Sequence, residues 1–399
     1  MAVVDLFCGC GGLSKGFEKA GFDIVAAFDC WQPALVCYNH NFDHSAENLD
    51  LNDIEKSVRK IREYNPTMII GGPPCQEFSN AGKRQEGAVA DLTYKYAQIV
   101  TSVLPRFFVM ENVPRAKESK AFAKARRLYK ESNYGLTEVV LDASRCGVPQ
   151  RRNRFFCIGE LNAPDNFLSD RIFANYTLAP VSVREYFANQ GIELDIDAYY
   201  RHPTTYDRRA VFSVDEVAPT IRGVNRPKPP TYRHHEKDAV SEDGLSSITQ
   251  LTIKQRASIQ TFPNDFEFEN LGITRCDTDQ MIGNAVPVLL ARFVAEQLKA
   301  HMQGGNVVMN DRQAFSTWLR TEKGYSDRSI SDVFSRIKRA TMMLPDRTID
   351  RYFIVDLKRT QQYQSLSTSV RSQIKKALNL HITYCETVMN HSIGSESVK

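Results

Sequence analysis

The sequence predicts an α/β protein built on a mostly parallel sheet. Two observations carry this. Apolar runs at 3–7, 24–28, 67–70, 107–110, 135–141 and 154–158 are separated by helix-length segments, the spacing of βαβ units. A glycine-rich loop, Phe7-Cys8-Gly9-Cys10-Gly11-Gly12, directly follows the first run and opens an amphipathic segment at 13–20 that Gly21 closes. The second run ends on Asp29, and 33–39 suits a second helix. Between 162 and 248 the chain is rich in Pro, Arg, Tyr and His, and Pro219, Pro227, Pro229 and Pro230 argue against long regular elements. Helical periodicity returns at 252–260, where Thr252 suits an N-cap and Pro263 ends the run. A further helix fits 286–303, with Pro287 in its first turn. Gly304-Gly305 reads as a linker, and 314–319, 330–343 and 369–388 as a small helical domain. Phe315, Trp318, Leu319, Ile330, Val333, Phe334 and Ile337 are its expected core.

The glycines let backbone approach a ligand, and a helix N-terminus offers unpaired N–H groups. An acid at the tip of the second strand lies where ribose hydroxyls are bound. By itself this loop suits a nicotinamide cofactor nearly as well as S-adenosylmethionine. A second feature is chemically sharper. Pro73-Pro74-Cys75-Gln76 follows the run Met68-Ile69-Ile70 and two glycines. A thiol on a stiff turn at the carboxyl edge of a sheet is a candidate nucleophile.

Five blocks occur in order: 5–13 (DLFCGCGGL), 71–79 (GGPPCQEFS), Glu111-Asn112-Val113, Gln150-Arg151-Arg152-Asn153-Arg154 and 283–287 (GNAVP). Together they resemble the DNA (cytosine-5)-methyltransferase family over residues 1 to about 300. The resemblance implies a Rossmann-like S-adenosylmethionine-dependent methyltransferase fold, no metal, and double-stranded DNA as partner. It implies that Cys75 adds to C6 of a flipped-out cytosine. Glu111 then holds the N3 and N4 edge of the base, and Arg152 and Arg154 orient the cytosine carbonyl, the thiolate and a phosphate. Phe7, Gly9, Cys10, Gly11 and Gly12 face the methionine part of the cofactor, Asp29 the ribose, and Asp50 and Leu51 the adenine. Asn284 and Ala285 complete that pocket from the far end of the chain. Residues 77–95 correspond to a mobile loop in which Ser79, Lys83 and Arg84 meet DNA.

The same matching assigns 1–161 and 249–304 to the catalytic domain and 162–248 to target recognition; 305–399 lies beyond the resemblance and, from its helical pattern, is expected to be an accessory helical domain. In the recognition region Arg222, Asn225 and Arg226 are candidate DNA contacts, with Arg201, His202, Arg208, Arg209, Lys228 and Arg233 beside them. The rival readings are an RNA cytosine methyltransferase, a dinucleotide-dependent oxidoreductase and an inactive DNA-binding relative. No Cys-Phe-Thr element supports the first, and the Pro-Cys-Gln and Gly-Asn blocks oppose the second.

Composition narrows the class. A 42% hydrophobic, 25% charged chain of 399 residues is that of a globular protein with a large core. No apolar run reaches the length of a membrane span, and the first residues read as a strand rather than a signal peptide. The nine cysteines contain no Cys-x-x-Cys pair, which points to reduced thiols in the cytoplasm. The expected protein is a cytoplasmic, nucleoid-associated monomer, with a restriction endonuclease as a possible companion. Charge is uneven: 306–399 holds fifteen Lys/Arg and nine Asp/Glu, a net +6, against a whole-chain +4. An accessory DNA- or partner-binding role is the expectation for that segment.

Overall fold

In the computed structural model, residues 1–74, 92–176, 178–205, 208–303, 311–344, 349 and 353–394 are described. They fall in two compact units, Met1–Gln303 and Gly304–Lys399.

The first unit begins with β1 (Ala2–Leu6), α1 (Gly12–Lys19), β2 (Asp23–Asp29), α2 (Gln32–Asn41), β3 (Ala46–Asn48), α3 (Ile54–Arg62) and β4 (Met68–Gly71). It continues with α4 (Leu92–Val103), β5 (Phe107–Asn112), α5 (Lys120–Glu131), β6 (Tyr134–Asp142), β7 (Gln150–Arg151) and β8 (Asn153–Leu161). Seven strands form one sheet in the order β3-β2-β1-β4-β5-β8-β6. Pairs among the first five are parallel, while β8 runs antiparallel to both β5 and β6. The expected α/β class is therefore right. Every residue of β4 and β5 is buried, as a sheet covered on both faces requires.

Beyond the sheet come α6 (Ser169–Asn175), α7 (Val183–Asn189), β9 (Ala198–Tyr200), β10 (Val211–Ser213) and β11 (Ala218–Pro219). Their connections are irregular, as the prolines imply. Then follow α8 (Ile253–Ile259), α9 (Arg275–Asn284) and α10 (Val288–Met302). Thr252 caps α8 in a reciprocal box with Gln255. Pro287 is the N-cap of α10 rather than a residue of its first turn.

Helix α10 lies on α1. A Cβ at Gly16 would sit 2.4 Å from Ala291 Cβ and 2.7 Å from the Arg292 nitrogen, so only glycine permits this approach. Leu290, Ala291, Val294 and Leu298 join Val3, Leu13 and Phe17 in one apolar cluster. The segment Arg275–Met302 is long and apolar enough to cross a membrane, contrary to the sequence expectation, but 78% of its apolar window is buried in the protein. It is a core element broken at Ala285–Pro287.

The second unit holds α11 (Asp311–Thr321), α12 (Asp327–Met343), α13 (Phe353–Leu357), α14 (Gln361–Gln364) and α15 (Thr368–Gly394). Phe315, Leu319, Ile330, Val333, Ala377 and Tyr384 form one of its apolar clusters, with Trp318, Phe334 and Ile337 half-buried against it. A second gathers Ala340, Phe353, Leu357, Ile374 and Leu378.

Candidate active site

The glycine loop leaves β1 with strained backbone. Phe7 has φ 59°, a left-handed conformation that a bulky side chain adopts only under constraint. Gly9 and Gly11 follow at 54° and 89°. Asp29 Oδ2 holds this turn, accepting from the backbone N–H of Gly9 at 2.8 Å, while its Oδ1 accepts from the Trp31 N–H at the head of α2 at 2.9 Å. Asp29 is thus a support of the loop, with carboxylate lone pairs left for a further donor. A Cβ at Gly9 would meet none of the described residues within 4 Å, so among them the loop faces open space. At Gly12 a Cβ would lie 2.4 Å from the Val286 carbonyl and 3.3 Å from Ala285 Cβ. The far end of the chain therefore backs the loop, with Asn284 exposed at its edge. Asp50 is exposed at the end of β3, accepting from Asn52, and Leu51 is buried. Burial, then the charges of Asp29 and Asp50, push the Cys30 thiol up.

Cys8 and Cys10 are buried, and burial holds both thiols well above their ordinary value. They are inert in this form. Beneath them runs a polar chain that the sequence did not announce. Ser14 Oγ donates to Asp5 Oδ2 at 2.6 Å, and Tyr38 Oη donates to Ser14 at 2.8 Å. Burial, aided by Asp29, raises the Asp5 carboxyl to about 8, against the lowering effect of Ser14. A carboxyl raised on folding contributes fully below its unfolded value of about 4, and that contribution drains away as pH rises to about 8. The expected result is a urea midpoint that falls between pH 5 and pH 8 relative to Asp5→Asn. Parallel pH dependences of the two proteins would disprove the assignment.

The carboxyl edges of β4 and β5 bring the second centre together. Asn112 Nδ2 donates to the Pro73 carbonyl at 3.0 Å, fastening the turn that leads to residue 75. Its neighbour Glu111 is 7% exposed and packs on the same turn, for a Cβ at Gly72 would lie 3.1 Å from Glu111 Oε2. Arg154, on β8 beside β5, places Nε 2.8 Å from Glu111 Oε1. Burial raises the Glu111 carboxyl, and Arg154 and then Arg152 oppose it. The outcome is a carboxyl held above its usual range in spite of two cations. Cys75, Ser79, Lys83 and Arg84 lie outside the described residues.

Arg152 departs from its expected orientation toward a base. It is 2% exposed, and its terminal nitrogens donate to three carbonyls, those of Ile221 at 2.8 Å, Gly283 at 2.7 Å and Ala285 at 3.1 Å. Burial, then the like charge of Arg154, lowers its affinity for its own proton. Two recognition-region candidates are likewise turned inward. Arg222 donates to the His202 carbonyl, and Asn225 Nδ2 to the Leu251 carbonyl at 3.0 Å and Asp279 Oδ1 at 3.4 Å. Arg201 is spent on the Thr220 carbonyl and Arg209 on Glu216. Arg226 stays exposed.

These contacts outline a seam between the sheet and the recognition region. β11 pairs with β7 in parallel, and the Ile221 N–H donates to Gln150 Oε1 at 2.8 Å. Gln150 then donates to Gln260, which donates to the Ile282 carbonyl at 2.6 Å. Arg256 forms an ion pair with Asp279 at 3% and 7% side-chain exposure and also donates to the Arg222 carbonyl. Sequence reading missed Arg256 and Asp279. The available signal was an arginine beside the apolar face of an otherwise amphipathic helix.

Comparison with known proteins finds relatives over most of this chain. The description "C-5 cytosine-specific DNA methylase" matches residues 1–300. Type II methyltransferase M.HgiDI of Herpetosiphon aurantiacus is 50% identical over 303 residues, 76% of this chain and 95% of that protein. Type II methyltransferase M.HindV of Haemophilus influenzae is 48% identical over 299 residues, covering 75% and 96%. Among solved structures, the S. pombe Dnmt2 methyltransferase aligns with a TM-score of 0.59 at 19% identity, over 77% of this chain and 99% of its own, which speaks for the fold. With a matched family description over three quarters of its length and relatives about half identical over nearly their whole length, the chain belongs to the C-5 cytosine-specific DNA methylase family.

Proposed function

We propose that the protein methylates C5 of a flipped-out cytosine within a specific duplex sequence, through a covalent adduct between Cys75 and C6, as the modification enzyme of a type II restriction–modification system. The observation that carries this is the buried Glu111–Arg154 pair set against the turn that enters Cys75. S-adenosylmethionine supplies an electrophilic methyl group when bound. The open space before Gly9, the strained Phe7 and the Ala285–Val286 segment suit its methionine part, and Asp29, Asp50 and Leu51 its adenosine. The Cys75 thiolate adds to C6, the C5–C6 double-bond pair shifts to form C4=C5, and the C4–N3 double-bond pair moves onto N3, which takes a proton and leaves C5 nucleophilic as part of an enamine. Glu111 gives that proton, which requires a carboxyl still protonated near neutrality, the direction in which burial moves it. Arg154 orients Glu111 and stabilises the charge it leaves. C5 takes the methyl group, a water-derived base removes the C5 proton, the thiolate departs from C6 as the C5–C6 double bond reforms, and N3 returns its proton to Glu111. Arg152 acts as a positioning residue for this edge. The enzyme works as a cytoplasmic monomer on DNA, beside a cognate endonuclease.

Methylation of mixed-sequence DNA followed by bisulfite sequencing tests the reading. One methylated sequence context is expected, and an unmodified product would end the proposal. Glu111→Gln, which cannot deliver a proton, is expected to lower kcat about 10²- to 10⁴-fold, as measured by labelled methyl transfer. Wild-type turnover in that variant would remove Glu111 from the chemistry.

A further inference from the structure

The helical unit lies beyond residue 300, outside the family match, and carries a concentrated charge of its own. From 357 to 385 the chain has five Lys or Arg and no Asp or Glu. Arg359 is paired with Asp356 at 3.7 Å. Lys358, Arg371, Lys375 and Lys376 have no carboxylate partner among the described residues, and Lys323 rests over the Trp318 ring at 4.8 Å. These side chains line two adjoining grooves of about 440 and 430 Å³ that share Ser372 and Lys375. Arg371 and Lys375 are one turn apart on α15, and like charges at that spacing destabilise a helix. Unneutralised cations interleaved with Ser, Thr and Gln are the donor set of phosphate-backbone contacts.

We infer that this groove is a second, sequence-independent binding surface for duplex DNA, gripping phosphates outside the methylated site. Duplex DNA is the polyanion that a DNA methylase meets, and one chain joins the two units, so binding through one raises the effective concentration of the other. The inference rests on the chain acting on DNA, and not on the cytosine chemistry proposed above.

The probe is an alternating dA–dT duplex of about 30 base pairs, which contains no cytosine, titrated with the full chain at several salt concentrations. The variant carries Lys323→Gln, Arg371→Gln, Lys375→Gln and Lys376→Gln. Its affinity is expected to fall at least about tenfold, with the slope of log K against log salt shallower by about 3 to 4, near 0.9 for each phosphate no longer neutralised. Ser372→Lys is expected to steepen the slope by about 0.9, one further phosphate. Methyl transfer by the fourfold variant at saturating cytosine-containing duplex stays at the wild-type rate. Unchanged affinity and slope overturn the inference, as does a loss confined to single-stranded RNA. A wild-type protein that binds this duplex but methylates no cytosine would refute the proposed reaction and leave this surface standing.

Discussion

Cys75→Ser is expected to abolish methyl transfer, by at least about a thousandfold in kcat, with cofactor affinity close to wild type. A serine hydroxyl is too weak a nucleophile at neutral pH to replace a thiolate without a dedicated base. The turn before residue 75 is held independently of the thiol, by Asn112 on the Pro73 carbonyl and by Glu111 against Gly72. The substitution therefore removes the nucleophile without releasing its support. A duplex with 5-fluorocytosine at the methylated position should trap the wild-type protein covalently, because fluorine at C5 blocks the final proton loss. The serine variant should give no adduct. An active serine variant, or an active wild type that never forms the adduct, would contradict the covalent route.

The largest stability effect is expected from Asp279→Asn. Its partner Arg256 is nearly sealed from water, and burial already lowers that guanidinium to about 10. Removing the carboxylate leaves a buried cation unpaired, a change that costs about 3–5 kcal/mol. The urea midpoint should drop accordingly. Replacing both partners, as Arg256→Met with Asp279→Leu, should recover much of the loss because no charge is then stranded. A single variant as stable as wild type would show that the pair is solvated in solution.

The contrast between these two residues and Cys75 shows what was legible in the sequence. The parallel strands are continuous apolar runs, and their carboxyl ends meet the motif blocks, so β1, β2, β4 and β5 could be read directly. The direction of β8 could not. Its run is as apolar as the others, and nothing local distinguishes an antiparallel neighbour. Helix α3 escapes the apolar pattern because its nine residues are mostly charged, with Ile54, Val58 and Ile61 as its only apolar stripe. The blocks named Arg152, but its carbonyl partners lie 69, 131 and 133 residues away, and only the fold brings them to it. Arg222 and Asn225 look like readers of bases when seen in one dimension. Folded, they are fasteners, because a proline-rich stretch with few ladder bonds needs side chains to satisfy its backbone.

The Arg152 clasp also bears on how such enzymes exchange specificity. One guanidinium grips Ile221, inside the recognition region just after β11, and Ala285, which backs the glycine loop at Gly12. A chimera that grafts a foreign recognition segment therefore has a natural suture line. Cuts placed between 218 and 225 would sever the clasp and loosen the backing of the glycine loop, whereas a graft joined distal to Asn225 would inherit it whole.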